Sequence, residues 1–349
     1  MLLEPRTFDL LERGPALLER LPADGRFKLE MPASQLELVT PPRSDVPTVV
    51  ADLRRARRTM LDAVDGLARP AAAGVHPFGA AEGALNPGAR YAHTAAEYGP
   101  VARRQLVCAL QVHVAVGGAE RTLAVYNALR EQLPLLAALA ANAPVYEGRD
   151  TGLASVRPKI SELLPRQGVP PALTGWDELE RELQWGATAG ALTGTNSWWW
   201  ELRPHLEFGT LELRVPDAQT TLADAGAIAA VAQALVAWLA ERHDQGDERA
   251  EVPTWRIEEN RWAACRHGVE GAFADVRSGE RRPARDCLYS LVDQLEPIAE
   301  RLGAAAALEH ARGLVECNGS MRQRAVAAQT GARGLAEWLA RRFEDDVRG

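Results

Sequence analysis

The sequence predicts an α+β fold in which an antiparallel sheet packs helices on one face, and three observations carry that expectation. Residues 106–116 alternate strictly: Leu106, Cys108, Leu110, Val112, Val114 and Val116 form one fully apolar face, while Gln111 and His113 project from the other. Period two with one apolar face marks a half-buried strand. Residues 198–203 and 210–215 read as two further strands, joined by a connection containing Pro204 and Gly209, hence an antiparallel hairpin. Strands and helices are mixed along the chain instead of alternating as βαβ units, which disfavours a parallel sheet.

The elements follow in order. Residues 27–40 read as a strand stopped by Pro41 and Pro42, and residues 46–67 as a charged helix. Residues 70–88 are dense in Gly, Pro and Ala and are expected to be irregular. After the strand at 106–116, Gly117 and Gly118 end it, and a helix runs over 119–141 with Tyr126, Leu129, Leu133 and Leu136 on one stripe. Pro134 lacks an N–H and its ring clashes with the preceding turn, so it should split or kink that helix. Asp150, Thr151 and Gly152 supply turn chemistry in a loop over 149–159. A short helix is expected at 176–186, and Ile228, Val231, Leu235 and Leu239 mark an amphipathic helix. Residues 245–349 look mainly helical, and the whole chain, 1–349, reads as one catalytic domain.

Bulk properties remove several function classes. Lys plus Arg number 40 and Asp plus Glu 47, so the net charge is −7. A mildly acidic surface without a dense basic stretch is unsuited to binding nucleic acid. Cys108, Cys265, Cys287 and Cys317 have neither metal-ligand spacing nor a disulfide pattern, which fits a reducing compartment. No apolar leader core opens the chain, and the most apolar stretch, 225–240, carries Gln233 and reads as too short and too amphipathic for a bilayer span. A cytoplasmic protein with no membrane contact is expected.

The chemistry-bearing residues sit on strand faces. Glu37 alternates with Leu36 and Leu38, and Glu30 stands at the other end of the same segment. His113 and Gln111 share the polar side of their strand, and Thr210, Glu212 and Arg214 share one side of theirs. Glu30, Glu37, His113 and Glu212 on one face would repel without a counter-ion. A hard cation such as Mg²⁺ takes carboxylate oxygens and bridges nucleotide phosphates, and a neighbouring guanidinium from Arg214 suits a transferring phosphoryl group. Taken singly, each residue also has a plain reading: solvated strand glutamates, a structural histidine, and a Glu212–Arg214 ion pair. Residues Trp198, Trp199 and Trp200 read as core or interface packing, compatible with a homo-oligomer. No glycine-rich phosphate loop follows a strand, and no nucleophile elbow is present.

Five stretches resemble the glutamate–cysteine ligase type 2 family of carboxylate–amine ligases. They are EMPASQLELVTPP at 30–42, QVHVAV at 111–116, LPLLAALAANAPVYEGRDTGLASVR at 133–157, WWELRPHLEFGTLELRVPD at 199–217 and ENRWAACRHG at 259–268. A weaker echo is GSMRQR at 319–324. The resemblance implies a glutamine-synthetase-like catalytic sheet and weak glutamate–cysteine ligase activity: ATP phosphorylates the γ-carboxylate of glutamate, and an amine such as that of cysteine displaces phosphate. It implies that Glu30, Glu37, His113 and Glu212 line a magnesium–ATP site, and that Arg157 and Arg214 hold phosphates or the substrate carboxylate. By the same match, Gln111, Asp150 and Arg203 are expected to contact nucleotide or substrate.

Two departures stand out. Family members usually open with a strand bearing a G-x-E-E-E run, whereas this chain starts Met-Leu-Leu-Glu4-Pro5, resembling only the tail of that strand. The expectation is that such a run lies upstream, in frame. Gln111 stands where the family often has histidine. Alternatives are a catalytically impaired relative acting as a metabolite-binding or oligomeric partner protein, and a ligase with a different amine acceptor.

Overall fold

A computed structural model describes residues 1–192, 194, 197–247 and 250–348. Eleven short strands among these residues pair antiparallel throughout, and helices supply the remaining mass. β1 (Leu2–Leu3) pairs with β4 (Arg69–Pro70), and β2 (Phe27–Leu29) with β3 (Leu36–Leu38). β5 (Val112–Ala115), β8 (Leu202–His205) and β9 (Thr210–Leu213) form a three-stranded sheet in the order β5-β9-β8. β6 (Val145–Tyr146) with β7 (Arg149–Asp150), and β10 (Ala272–Ala274) with β11 (Arg281–Pro283), make two small hairpins.

One face of the three-stranded sheet forms the roof of the main core. Leu202, Leu211 and Leu213 are fully buried there, with Val112 and Val114 partly buried beside them, against Ile228, Val231 and Leu235. Helices cover this apolar face, and the polar face is left for the site, as an α+β architecture requires. The helix Leu222–Asp244 runs through the middle of the core. Thr221 caps its start by accepting from the Asp224 amide at 3.1 Å. Helices Val46–Ala63, Ala119–Arg130, Ala284–Arg301 and Ala305–Glu316 all pack on it. The amphipathic helix expected around Ile228 is therefore corrected. Ala225, Ala227, Ala230, Ala232 and Ala234 are buried as well as the larger apolar stripe, because neighbours surround the helix on several sides.

Three further expectations need correction. Residues 27–40 are not one strand but the β2–β3 hairpin, because Pro32 lacks the donor a continuous ladder requires and the chain reverses between Glu30 and Gln35. The strand at 106–116 is regular only over β5. Before it, the chain is tied by single bridges, Val75 to Val107 and Ala109 to Asp217. The hairpin strand placed at 198–203 starts instead at Leu202, since Trp198 is packed into the core and meets Trp200 at a tilt, ring centroids 4.4 Å apart. The split at Pro134 is found as expected: helices Ala119–Arg130 and Leu133–Leu139 meet there, with the proline in the first turn of the second, where its missing N–H costs nothing.

Candidate active site

The register of the three-stranded sheet aligns three polar residues in a row. His113 on β5 lies opposite Glu212 on β9, and Glu212 lies opposite Arg203 on β8. Directly opposed residues in an antiparallel pair share a face, so all three project from the side away from the core. Glu212 is 1% exposed. Arg203 Nε and Arg214 Nη1 each donate to one of its oxygens. His113 Nε2 stands 3.9 Å from Glu212 Oε1, while its Nδ1 is 3.0 Å from Thr210 Oγ1. Burial alone would push the Glu212 carboxyl up, but Arg214 and Arg203 together hold it below the ordinary glutamate value. Burial pushes His113 down, so at neutral pH it carries no charge.

Glu30 and Glu37 come to the same region from the β2–β3 hairpin. They line an open cavity of about 1150 Å³ together with Gln111, His113, Arg157 and Arg214. Glu37 has the reverse electrostatics of Glu212. Burial first, and the nearby Glu30 second, push its carboxyl up to about 7, and Lys28, its cross-strand neighbour, offsets only part of this. The hairpin thus offers Glu37, whose burial is offset only in part by Lys28 and Arg214, with Glu30 near it. That donor set fits a Mg²⁺ ion, which keeps several waters and takes its remaining oxygens from substrate phosphates. Among the described residues, no three His, Cys, Asp or Glu side chains converge as a complete protein-only metal site.

Arg157 also reaches the cavity wall, from the start of the short helix Arg157–Ser161. Its guanidinium is fixed from behind: Nε donates to Asp217 Oδ1 at 2.6 Å, and Nη2 donates to the Val215 carbonyl. Asp217 is itself buried and accepts further bonds from the Asn142 amide at 2.6 Å and Ser155 Oγ at 3.0 Å. A buried ion pair saturated with hydrogen bonds in this way holds one geometry. It fixes Arg157 to the segment that continues from β9, the strand carrying Glu212, which Arg214 follows.

Two expected contacts lie elsewhere. Asp150 is exposed on β7, bonded to Arg324 at 3.0 Å and to the Gly152 amide at 2.8 Å. It lines a separate pocket of about 400 Å³ with Tyr146, Arg149, Thr151 and Val156, because the tight β6–β7 turn carries it to the surface. Arg203 does not line the cavity. It stands beside Glu212 across the β8–β9 pair, donates to its carboxylate, and also donates to the Trp198 carbonyl at 3.3 Å.

Sequence reasoning passed over several groups. Asp217 lay in a quoted stretch, but its three partners are 60 to 75 residues away in sequence, so no local pattern exposes its role. Arg57 lines the cavity from the helix Val46–Ala63 and donates to the carbonyls of Gln219 and Thr220 at 3.1 and 3.0 Å. A buried arginine on a charged helix gives no sign in sequence that it faces inward. Tyr91 lines the cavity and donates its hydroxyl to the Leu29 carbonyl at 2.9 Å, bracing the end of β2.

The family model described as glutamate–cysteine ligase family 2 matches residues 12–339. A Rubrobacter xylanophilus protein provisionally named glutamate–cysteine ligase 2-3 is 39% identical, over 97% of this chain and 93% of its own length. A Thermobifida fusca protein provisionally named glutamate–cysteine ligase 2 is 34% identical over 96% of this chain and 86% of its own. Among solved structures, the Francisella tularensis glutamate–cysteine ligase in complex with AMP superposes with a TM-score of 0.68 at 12% identity, covering 93% of this chain and 82% of that one. A bifunctional glutathione synthetase from Pasteurella multocida gives 0.65 at 14% identity, with this chain spanning 50% of it. These two structures share the fold. The family match spans nearly the whole length of the chain, and the chain belongs to glutamate–cysteine ligase family 2.

Proposed function

We propose that the chain is an ATP-dependent carboxylate–amine ligase that joins the γ-carboxylate of glutamate to the amine of an amino acid such as cysteine. One observation carries the reading. A carboxylate pair, Glu30 and Glu37, shares a cavity with the guanidiniums of Arg214 and Arg157. The names of the relatives and the AMP in the Francisella enzyme support the same reading.

A carboxylate oxygen is a poor leaving group, so the glutamate carboxylate must first be activated. Its oxygen attacks the γ-phosphorus of ATP, the bond to the bridging oxygen breaks, and ADP leaves with an acyl phosphate formed. The neutral amine then attacks the carbonyl carbon, inorganic phosphate departs with the bonding pair, and the amine proton passes to a base or water. Glu30 and Glu37 would hold Mg²⁺, which when bound neutralises polyphosphate charge. Arg214 is fixed by Glu212, and Arg157 by Asp217, so both present positive charge without reorganising as charge moves. The four free cysteines suit a reducing compartment such as the cytoplasm.

Phosphate release from ATP tests the reading. It should require glutamate, Mg²⁺ and an amine together. If no amino acid offered as the amine raises phosphate release above the amine-free rate, the ligase reading is wrong.

A further inference from the structure

The tip of the β8–β9 hairpin carries an aromatic group that the ion-pair chemistry leaves unused. Phe208 is 61% exposed yet forms part of the cavity wall. His205 lies flat behind it, ring centroids 4.2 Å apart and planes 14° from parallel. His113 meets both rings edge-on, at 5.2 Å from His205 and 5.6 Å from Phe208. The backbone of the tip is also tied down. The Phe208 and Gly209 amides donate to the His205 carbonyl at 3.2 and 2.9 Å, and Gly209 takes φ +63°, which closes the turn without side-chain strain. An aromatic ring stacked on one neighbour, met edge-on by another and carried on a turn closed by two backbone hydrogen bonds keeps its orientation. Exposing that much of it costs hydrophobic free energy unless a ligand covers it.

We infer that Phe208, backed by His205, is the platform on which the nucleobase of the bound nucleotide stacks. This rests on the ligase reading and adds a base subsite to it. The spacing supports it. From Thr210 next to the tip to Arg214, just past the far end of β9, is four residues, roughly 13 Å at the rise of an extended strand. That is about the reach of an extended nucleoside triphosphate. A nucleotide laid along β9 therefore puts its base on Phe208 and its phosphates beside Arg214, within reach of Glu30 and Glu37. Stacking uses the π-face that all bases share, so Phe208 supplies affinity and not discrimination between purines.

The test compares ligands with and without a base on the full chain. Binding of ATP, GTP and inorganic tripolyphosphate, each with Mg²⁺, is measured by calorimetry for the wild type, Phe208→Ala and Phe208→Trp. The alanine variant should bind ATP and GTP about tenfold more weakly and tripolyphosphate unchanged, and tryptophan should restore ATP and GTP. Unchanged ATP binding in Phe208→Ala overturns the inference while leaving the ligase reading intact. An equal loss for tripolyphosphate overturns it too, since the effect would then be a collapse of the hairpin. A wild-type chain that binds none of the three ligands sinks the ligase reading itself.

Discussion

Glu212 and Glu37 are the same residue type on two sides of one site, and their surroundings treat them in opposite ways. Glu212 sits in the middle strand of a sheet, buried, with a guanidinium on each carboxylate oxygen. Glu37 sits on a two-stranded hairpin, with a second carboxylate nearby and one lysine across the strand. The protein supplies full counter-charge for the first and only partial counter-charge, from Lys28 and Arg214, for the second. Desolvation disfavours both anions; what differs is whether the compensating cations belong to the chain. Under the proposed ligase function, a site that admits and releases a charged nucleotide would benefit from this division, one carboxylate orienting permanent cations and the other pair left to hold a removable one.

Glu212→Gln breaks the permanent half, and the largest effect is expected there. Arg203 and Arg214 lose their anion, so catalytic turnover should fall by roughly 100-fold or more. Stability should drop by about 3 kcal/mol, as when one partner of a buried pair is removed. Amine-dependent phosphate release and denaturant midpoints check the two parts, and turnover at the wild-type rate would remove Glu212 from the site. Glu37→Gln sharpens the removable half. The Glu37 carboxyl titrates near 7 in the folded chain against an ordinary 4.5, so the unfolded chain ionises first. Its destabilising effect is absent below about pH 4.5, grows as pH rises, and is complete above about pH 7. The glutamine variant should therefore be more stable than wild type at pH 8, by no more than about 3 kcal/mol, and equal to it at pH 4. Added Mg²⁺ should raise the wild-type midpoint at pH 8 and leave that of the variant in place. The smallest effect is expected at Asp150→Ala, which removes an exposed pair with Arg324. Stability should change by less than about 1 kcal/mol and phosphate release not at all. A large loss of activity would return Asp150 to the site.

The sequence made one half of this comparison more readable than the other. Alternation around Leu211 and Leu213 placed Thr210, Glu212 and Arg214 on one face, and the alternation of residues 106–116 placed His113 on the face opposite Val112 and Val114. Period two is a local signal, and the three-stranded sheet obeys it. The hairpin half was harder. Glu30 and Glu37 were identified, but on one straight strand, because the turn between them uses Pro32, Ala33 and Ser34 without an Asn-Gly or Asp-Gly signature. That Arg203 pairs with Glu212 was not legible, since cross-strand register cannot be read before the strand's start is known. Asp217 and Arg57 act through partners far along the chain, and only the folded structure brings those together.

The helix Leu222–Asp244 has a consequence for how the chain is made. It is long and apolar enough to resemble a membrane span by composition, yet it is largely enclosed by protein. Two of the helices that enclose it, Ala284–Arg301 and Ala305–Glu316, are translated after it. During synthesis this oily rod must wait for dozens of later residues before its wrapping is complete. The C-terminal third, which contributes no residue to the acidic and cationic cluster, therefore completes the cover that keeps this apolar helix out of water.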